Sequence, residues 1–209
     1  MKRLLLACSL LACASVAQAQ VTSSNARLSV GIAVDRLFTL DDDASDAWGI
    51  GPEVRVGANR QGWGPSFGLG WFDSRLQAAE GGVAGEFAEI RVRPVMAGIG
   101  YTFRRGPWSY DLGVAAGWTF NRGTVLPAAE RYFAQLGTGP VEVEVSNSFA
   151  VRPRLRVYYD TPSRVSFTGS VGVAFLDPEV TLRSGGRSLT LDRSLTAVTL
   201  EAGLLFALF

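Results

Sequence analysis

The side chains that most often do chemistry are either missing from this sequence or confined to its first few residues. There is no histidine among 209 residues, which removes Ser-His and Cys-His nucleophilic catalysis, imidazole proton shuttles and His-ligated metals. The two cysteines, Cys8 and Cys13, both lie near the start. Glu142 and Glu144 are paired acids, but they stand two apart beside an arginine-rich stretch, and charge pairing accounts for them better than acid/base work. Asp41, Asp42, Asp43 and Asp46 gather carboxylates without the loop pattern of a calcium site, so a solvated acidic loop is the simpler account. The 24 glycines are scattered along alternating stretches and form no phosphate-cradling loop. No catalytic residue, cofactor or metal is therefore expected. What remains is a set of arginines and acids that could neutralise one another.

The first residues explain the cysteines. Met1-Lys2-Arg3 leads into an apolar stretch ending at Ala17-Gln18-Ala19, the pattern of a secretory signal peptide cleaved after Ala19. The domain boundaries follow as 1–19 and 20–209. A lipid attached at Cys13, after Leu10-Leu11-Ala12, fits the cleavage rule less well. Of the 20 basic residues, Lys2 and Arg3 lie in the leader, so 18 arginines face 19 acids in the exported part. That near-neutral balance disfavours nucleic acid as a partner. With no cysteine left there is neither a disulfide framework nor a thiol site.

The elements that must position the charges alternate with period two. Apolar and small or polar residues take turns over 28–35, 48–56, 66–71, 95–102, 108–121, 143–159 and 165–175, and a last, more uniformly apolar run covers 195–209. Eight strands result. The one helical stretch of note is 126–136, where Pro127 suits a first turn and Gly137 a stop. The parity opposite the bulky residues is rich in Gly, Ala and Ser with isolated charges. That is thin cover for a wetted surface but suits the cramped interior of eight strands.

Loop lengths and aromatics agree. Tight turns at 59–62, 104–107 and 160–163 alternate with long connections at 39–47, 77–86, 122–140 and 177–192, as in transmembrane β-barrels. Trp63, Tyr101, Phe103, Trp108, Tyr110, Tyr159 and Phe209 gather at the turn end, and Trp48, Trp71, Trp118, Phe120 and Phe175 at the loop end, like the girdles at two membrane interfaces. The expected fold is all-β: an eight-stranded antiparallel up-and-down transmembrane β-barrel.

From Ala26 to Phe209 the chain resembles the small bacterial outer-membrane β-barrels, the membrane domain of the outer-membrane protein A type and its relatives. The resemblance rests on the leader, the strand count, the loop asymmetry and the terminal Phe209. It implies residence in the outer membrane of a Gram-negative envelope among lipids and lipopolysaccharide, and insertion by the barrel-assembly machinery, which reads a terminal aromatic. Here Gly203 falls one residue off the usual spacing, and apolar residues occupy both parities of the last strand.

Inside such a barrel an unpaired charge costs several kcal/mol. Asp35, Glu53, Arg55, Asp111, Glu144, Arg152, Arg154, Arg156 and Glu201 are therefore expected to form an Arg-carboxylate network across the lumen. Arg91 and Arg93 share parity with lipid-facing Val95 and Ala97, and a bulge at Pro94 is expected to turn them inward to join it. The reading is a non-enzymatic membrane protein with a largely plugged interior. Its role is structural or interactive, with surface partners reached through loops three and four, where 180–191 is expected to form a hairpin standing off the membrane. The alternatives are a narrow porin-like channel for small solutes and a soluble periplasmic barrel carrying a ligand.

Overall fold

A computed structural model describes residues 22–209 apart from 24, 41–43, 59, 79–84 and 193–194. The expected leader and Asp41 to Asp43 lie outside the described residues. The elements are β1 (Leu28–Thr39), β2 (Ala47–Val56), β3 (Gly62–Leu69), β4 (Trp71–Ala78), β5 (Gly85–Arg105), β6 (Trp108–Val125), α1 (Pro127–Gln135), β7 (Glu142–Val145), β8 (Ser148–Asp160), β9 (Val165–Leu176), β10 (Glu179–Ser184), β11 (Arg187–Asp192) and β12 (Leu195–Ala207).

β3 and β4 meet β5 in one register across Gly70, Leu69 opposite Val95 and Phe72 opposite Val92, up to a shift between Leu76 and Gln77, so they are a single wall strand interrupted at Gly70. Eight wall strands then run β1, β2, β3/β4, β5, β6, β8, β9, β12 and close from β12 back onto β1, every pair antiparallel. The amide of Leu28 donates to the carbonyl of Phe209 at 2.9 Å, so the first and last described strands seal each other. At Gly98 and Gly31 the neighbouring strand comes so close that a Cβ would fall 1.9 Å from the Val114 carbonyl oxygen and 1.8 Å from that of Leu204. Glycine is the residue that permits such an approach.

Bulky residues point out. All five tryptophans are exposed, as are Ile32, Val34, Phe67, Ile99, Leu112, Phe167 and Leu204, while Ser29, Glu53, Arg55, Ser109, Thr119, Arg154, Arg156 and Thr168 are buried inside. A water-soluble sheet would reverse this, and acyl chains are the solvent that makes it favourable.

The loop end carries its own folded cap. The third and fourth long loops combine, because β7 of one pairs with β10 of the other, and β10 forms a hairpin with β11. The two-residue hairpin turn is Gly185-Gly186, both at positive φ (54° and 81°), the geometry of a type I′ turn. This hairpin does not stand free. Val180 and Leu182 are fully buried with Phe133 of α1 and with Leu76, Phe87, Ile90 and Val92 from the rising ends of β4 and β5.

Two further expectations are corrected. No bulge occurs at Pro94: β5 and β6 stay in register from Ala88 opposite Val125 to Arg105 opposite Trp108. Arg91 and Arg93 therefore remain on the outward parity. The physical reason is height, since Arg93 stands opposite Phe120 within the loop-end aromatic band and Arg91 one step beyond it, at the membrane interface rather than the midplane. Secondly, 143–159 is not one strand. The Asn121 side chain donates to the Ser146 carbonyl at 2.8 Å, and the Asn121 amide donates to the Asn147 side chain at 3.0 Å, which pins the break between β7 and β8. The last strand sorts its apolar residues as well: Leu200, Leu204 and Phe206 of β12 face out, and Phe209 lies past the strand end, off that outward row.

Tryptophan emission of the protein in vesicles of brominated-chain lipid should fall strongly relative to unbrominated vesicles. Unchanged emission would mean that the tryptophans are not in contact with acyl chains.

Candidate functional site

β8 supplies the lumen's arginines because every second residue from Arg152 to Asp160 points inward. Near the turn end Arg55 Nη1 meets Asp160 Oδ1 at 2.6 Å, and Arg55 Nη2 also donates to Ser109 Oγ at 2.9 Å and to the Ala58 carbonyl at 3.0 Å. The Arg55 guanidinium lies 4.0 Å from the centre of the Tyr158 ring. One layer up, Arg156 pairs with Glu53 at 2.8 Å and Glu201 at 3.2 Å. Above it Arg152 reaches Asp35 at 3.0 Å and Glu201 at 3.4 Å, and donates to Thr199 Oγ1 at 3.2 Å. Arg154 crosses the bore to Ser66 Oγ at 2.7 Å and the Phe67 carbonyl at 3.2 Å. Asp111 accepts from Thr102 at 2.9 Å. These contacts join side chains from seven of the eight wall strands across the bore.

The structure thus brings Asp35, Glu53, Arg55, Arg152, Arg154, Arg156 and Glu201 together. Asp111 stands nearby, bonded to a hydroxyl. Three expected members are elsewhere. Arg91 pairs with Asp73 at 3.1 Å on the outer wall, both about half exposed. Arg93 keeps the same outward parity, half-buried. Glu144 sits on β7 in the cap and pairs with exposed Arg183 at 3.2 Å. Sequence reasoning also missed Asp160 and Tyr158. Tyr158 shares parity with the arginines and was findable, whereas Asp160 opens an Asp-Thr-Pro-Ser turn and reads as a turn residue.

The aromatics fall into cross-strand pairs. At the turn end these are Trp63 with Tyr101, Phe103 with Tyr110 and Trp108 with Tyr159, with ring centres 5.5, 5.0 and 4.7 Å apart. At the loop end Trp118 meets Phe149 at 5.8 Å, Trp48 carries the Arg36 guanidinium over its ring, and Trp71, Phe120 and Phe175 stand exposed.

The wall has one weak seam. β2 pairs with β4 only at Gly49 opposite Phe72 and Ile50 opposite Trp71, and among the described residues no ladder joins β2 to β3 below that point. Where the seam meets the Gly70 interruption a small cavity opens between belt and cap. Its sides include inward Leu37 and Met96 and outward Leu69 and Trp71, its roof Phe72 and Leu176, and its floor Arg152 and Arg154.

The model of the outer membrane protein beta-barrel domain family matches residues 4–175. The chain belongs to that family. It is an outer-membrane β-barrel protein, and the girdles and lipid-facing rows described above lie in the bacterial outer membrane. Among solved structures it is similar to the outer membrane protein OprG from Pseudomonas aeruginosa. Their TM-score is 0.74 at 12% identity over 88% of this chain and 97% of that one. It is also similar to the outer membrane protein AlkL in lipid bilayers, with a TM-score of 0.52 at 12% identity over 90% and 93% of the two chains. At such identities the likeness is one of fold. No curated protein matches the sequence significantly.

Within this family barrel the belt makes a sharp energetic statement. Arg156→Met leaves buried Glu53 without a counter-charge and Glu201 with only its 3.4 Å contact to Arg152, and should cost about 3–5 kcal/mol in urea unfolding from vesicles. Adding Glu53→Gln and Glu201→Gln should restore most of the loss. A single variant as stable as the parent would show that the pairs carry no such weight.

Proposed function

We propose that the barrel is closed to ions along its axis and that the seam cavity is its working site, holding small, mainly apolar molecules that exchange with the surrounding hydrocarbon. The supporting observation is that inward Leu37 and Met96 line the same cavity as the Gly68 to Phe72 stretch of the wall, so the cavity reaches the seam. The axis is unpromising in both directions. Below lies a belt of ion pairs with side chains mostly under one-tenth exposed, and above lies the packed apolar cap. An ion path needs continuous water. A cavity with apolar walls binds an apolar guest without that requirement.

A second reading places the role at the surface. It draws on the union of loops three and four into one sheet, whose tip leaves a cleft between Gly139-Pro140 and Ser184 to Ser188. Partners there would be met through Arg183 and Arg187. In either reading the protein works among outer-membrane lipids and lipopolysaccharide after insertion by the barrel-assembly machinery, and it does no covalent chemistry.

Met96 is the only methionine after Met1, so a ¹³C-methyl methionine label reports directly on the cavity. Toluene added to the protein in nanodiscs should shift the Met96 methyl signal. Gly68→Leu should abolish that shift: a Cβ at Gly68 meets nothing nearer than 3.7 Å, so the larger side chain fills space rather than displacing backbone. Planar bilayers containing the protein should show no steady ohmic steps. Large, regular steps would overturn the closed axis, and a silent Met96 would overturn the working cavity.

A further inference from the structure

We infer that the guest of the seam cavity carries an anionic end, and that Arg154 receives it: the ligand class is a short- to medium-chain carboxylate. The inference rests on the cavity reading above and adds its charge specificity.

Among the described lumen arginines, Arg154 lacks a carboxylate partner. Arg55 has Asp160, Arg156 has Glu53 and Glu201, and Arg152 has Asp35 and Glu201. Arg154 has no carboxylate within 4.0 Å among the described residues. Its relative exposure is 4%, and its bonds go to two neutral acceptors, Ser66 Oγ and the Phe67 carbonyl. Its Nε has no acceptor at all. A buried guanidinium in that state is costly, and its neighbours on the same face of β8, Arg152 and Arg156, add repulsion. Asp35 also lines the cavity, but Arg152 holds it at 3.0 Å.

The cavity supplies the rest of the ligand's description. Above the Arg152 and Arg154 floor the walls are Leu37, Leu69, Trp71, Met96 and Leu176, which offer an alkyl chain nothing but apolar contact. Arg154 Nη1 lies beside Gly68 at the cavity floor, where a carboxylate oxygen can accept a charge-assisted hydrogen bond from it. The chain end then lies toward the seam, where Leu69 and Trp71 continue into the lipid-facing surface.

Titration of the Met96 methyl signal in nanodiscs separates this from the broader reading. Octanoate should bind roughly tenfold tighter than octanol, a gap set by one charge-assisted hydrogen bond, and octylammonium weakest of the three. Arg154→Gln, which keeps a donor for Ser66, should bring octanoate down to the level of octanol, while Gly68→Leu should remove both. Octanol binding as tightly as octanoate would overturn the anionic class and leave the cavity reading standing. Failure of all three ligands to move Met96 would overturn both. Because the ligand series is measured on the unaltered protein, a poorly folding Arg154 variant does not decide the outcome.

Discussion

Eight strands enclose a bore that side chains must fill, and bulk water is not there to solvate a charge. Every ionised group placed in that bore needs a partner supplied by another strand. The arginines of β8 answer this constraint by reaching across to β1, β2, β3 and β12, so that one strand touches most of the wall. The belt therefore works as an internal brace. It makes the positions of Asp35, Glu53 and Glu201 interdependent, because Glu201 is shared between Arg152 and Arg156.

The same constraint gives meaning to the seam. A sheet in hydrocarbon cannot leave its backbone groups unpaired without several kcal/mol per group, so an incomplete ladder at membrane depth is tolerated only beside a cavity or polar side chains. Here Arg154 donates to the Phe67 carbonyl, a backbone acceptor of the strand that β2 leaves without a ladder. The brace and the opening are thus one feature seen from two sides: the residue without a counter-charge is also the one that steadies the loose strand.

Much of this was legible in the sequence because a β-strand assigns its residues to faces by parity alone. The eight wall strands, the turn and loop ends, the aromatic bands and the arginine face of β8 all follow from that rule. Parity says nothing about height or about the neighbouring strand. Arg91 and Arg93 were assigned inward because an outward charge was assumed to meet lipid at the midplane, whereas β5 carries both to the membrane interface. Glu144 was joined to β8 because its alternation continues through 146–147, and the break there is made by Asn121, a residue of a different strand. The seam is a property of β2 and β3 together, invisible in either run by itself, and the cap core is assembled from two loops some 40 residues apart in sequence.

External loops on barrels are ordinarily separate appendages, each at liberty to change length and composition. In this protein Val143 stands opposite Leu182 and Glu142 opposite Arg183, so the third loop and the fourth share a ladder. An insertion in one would slip the register of the other and turn buried Val180 and Leu182 toward water. Natural variation at this pole must accordingly be inherited in matched pairs. Swapping a single loop between relatives would produce a misfit, whereas exchanging both together would preserve the join.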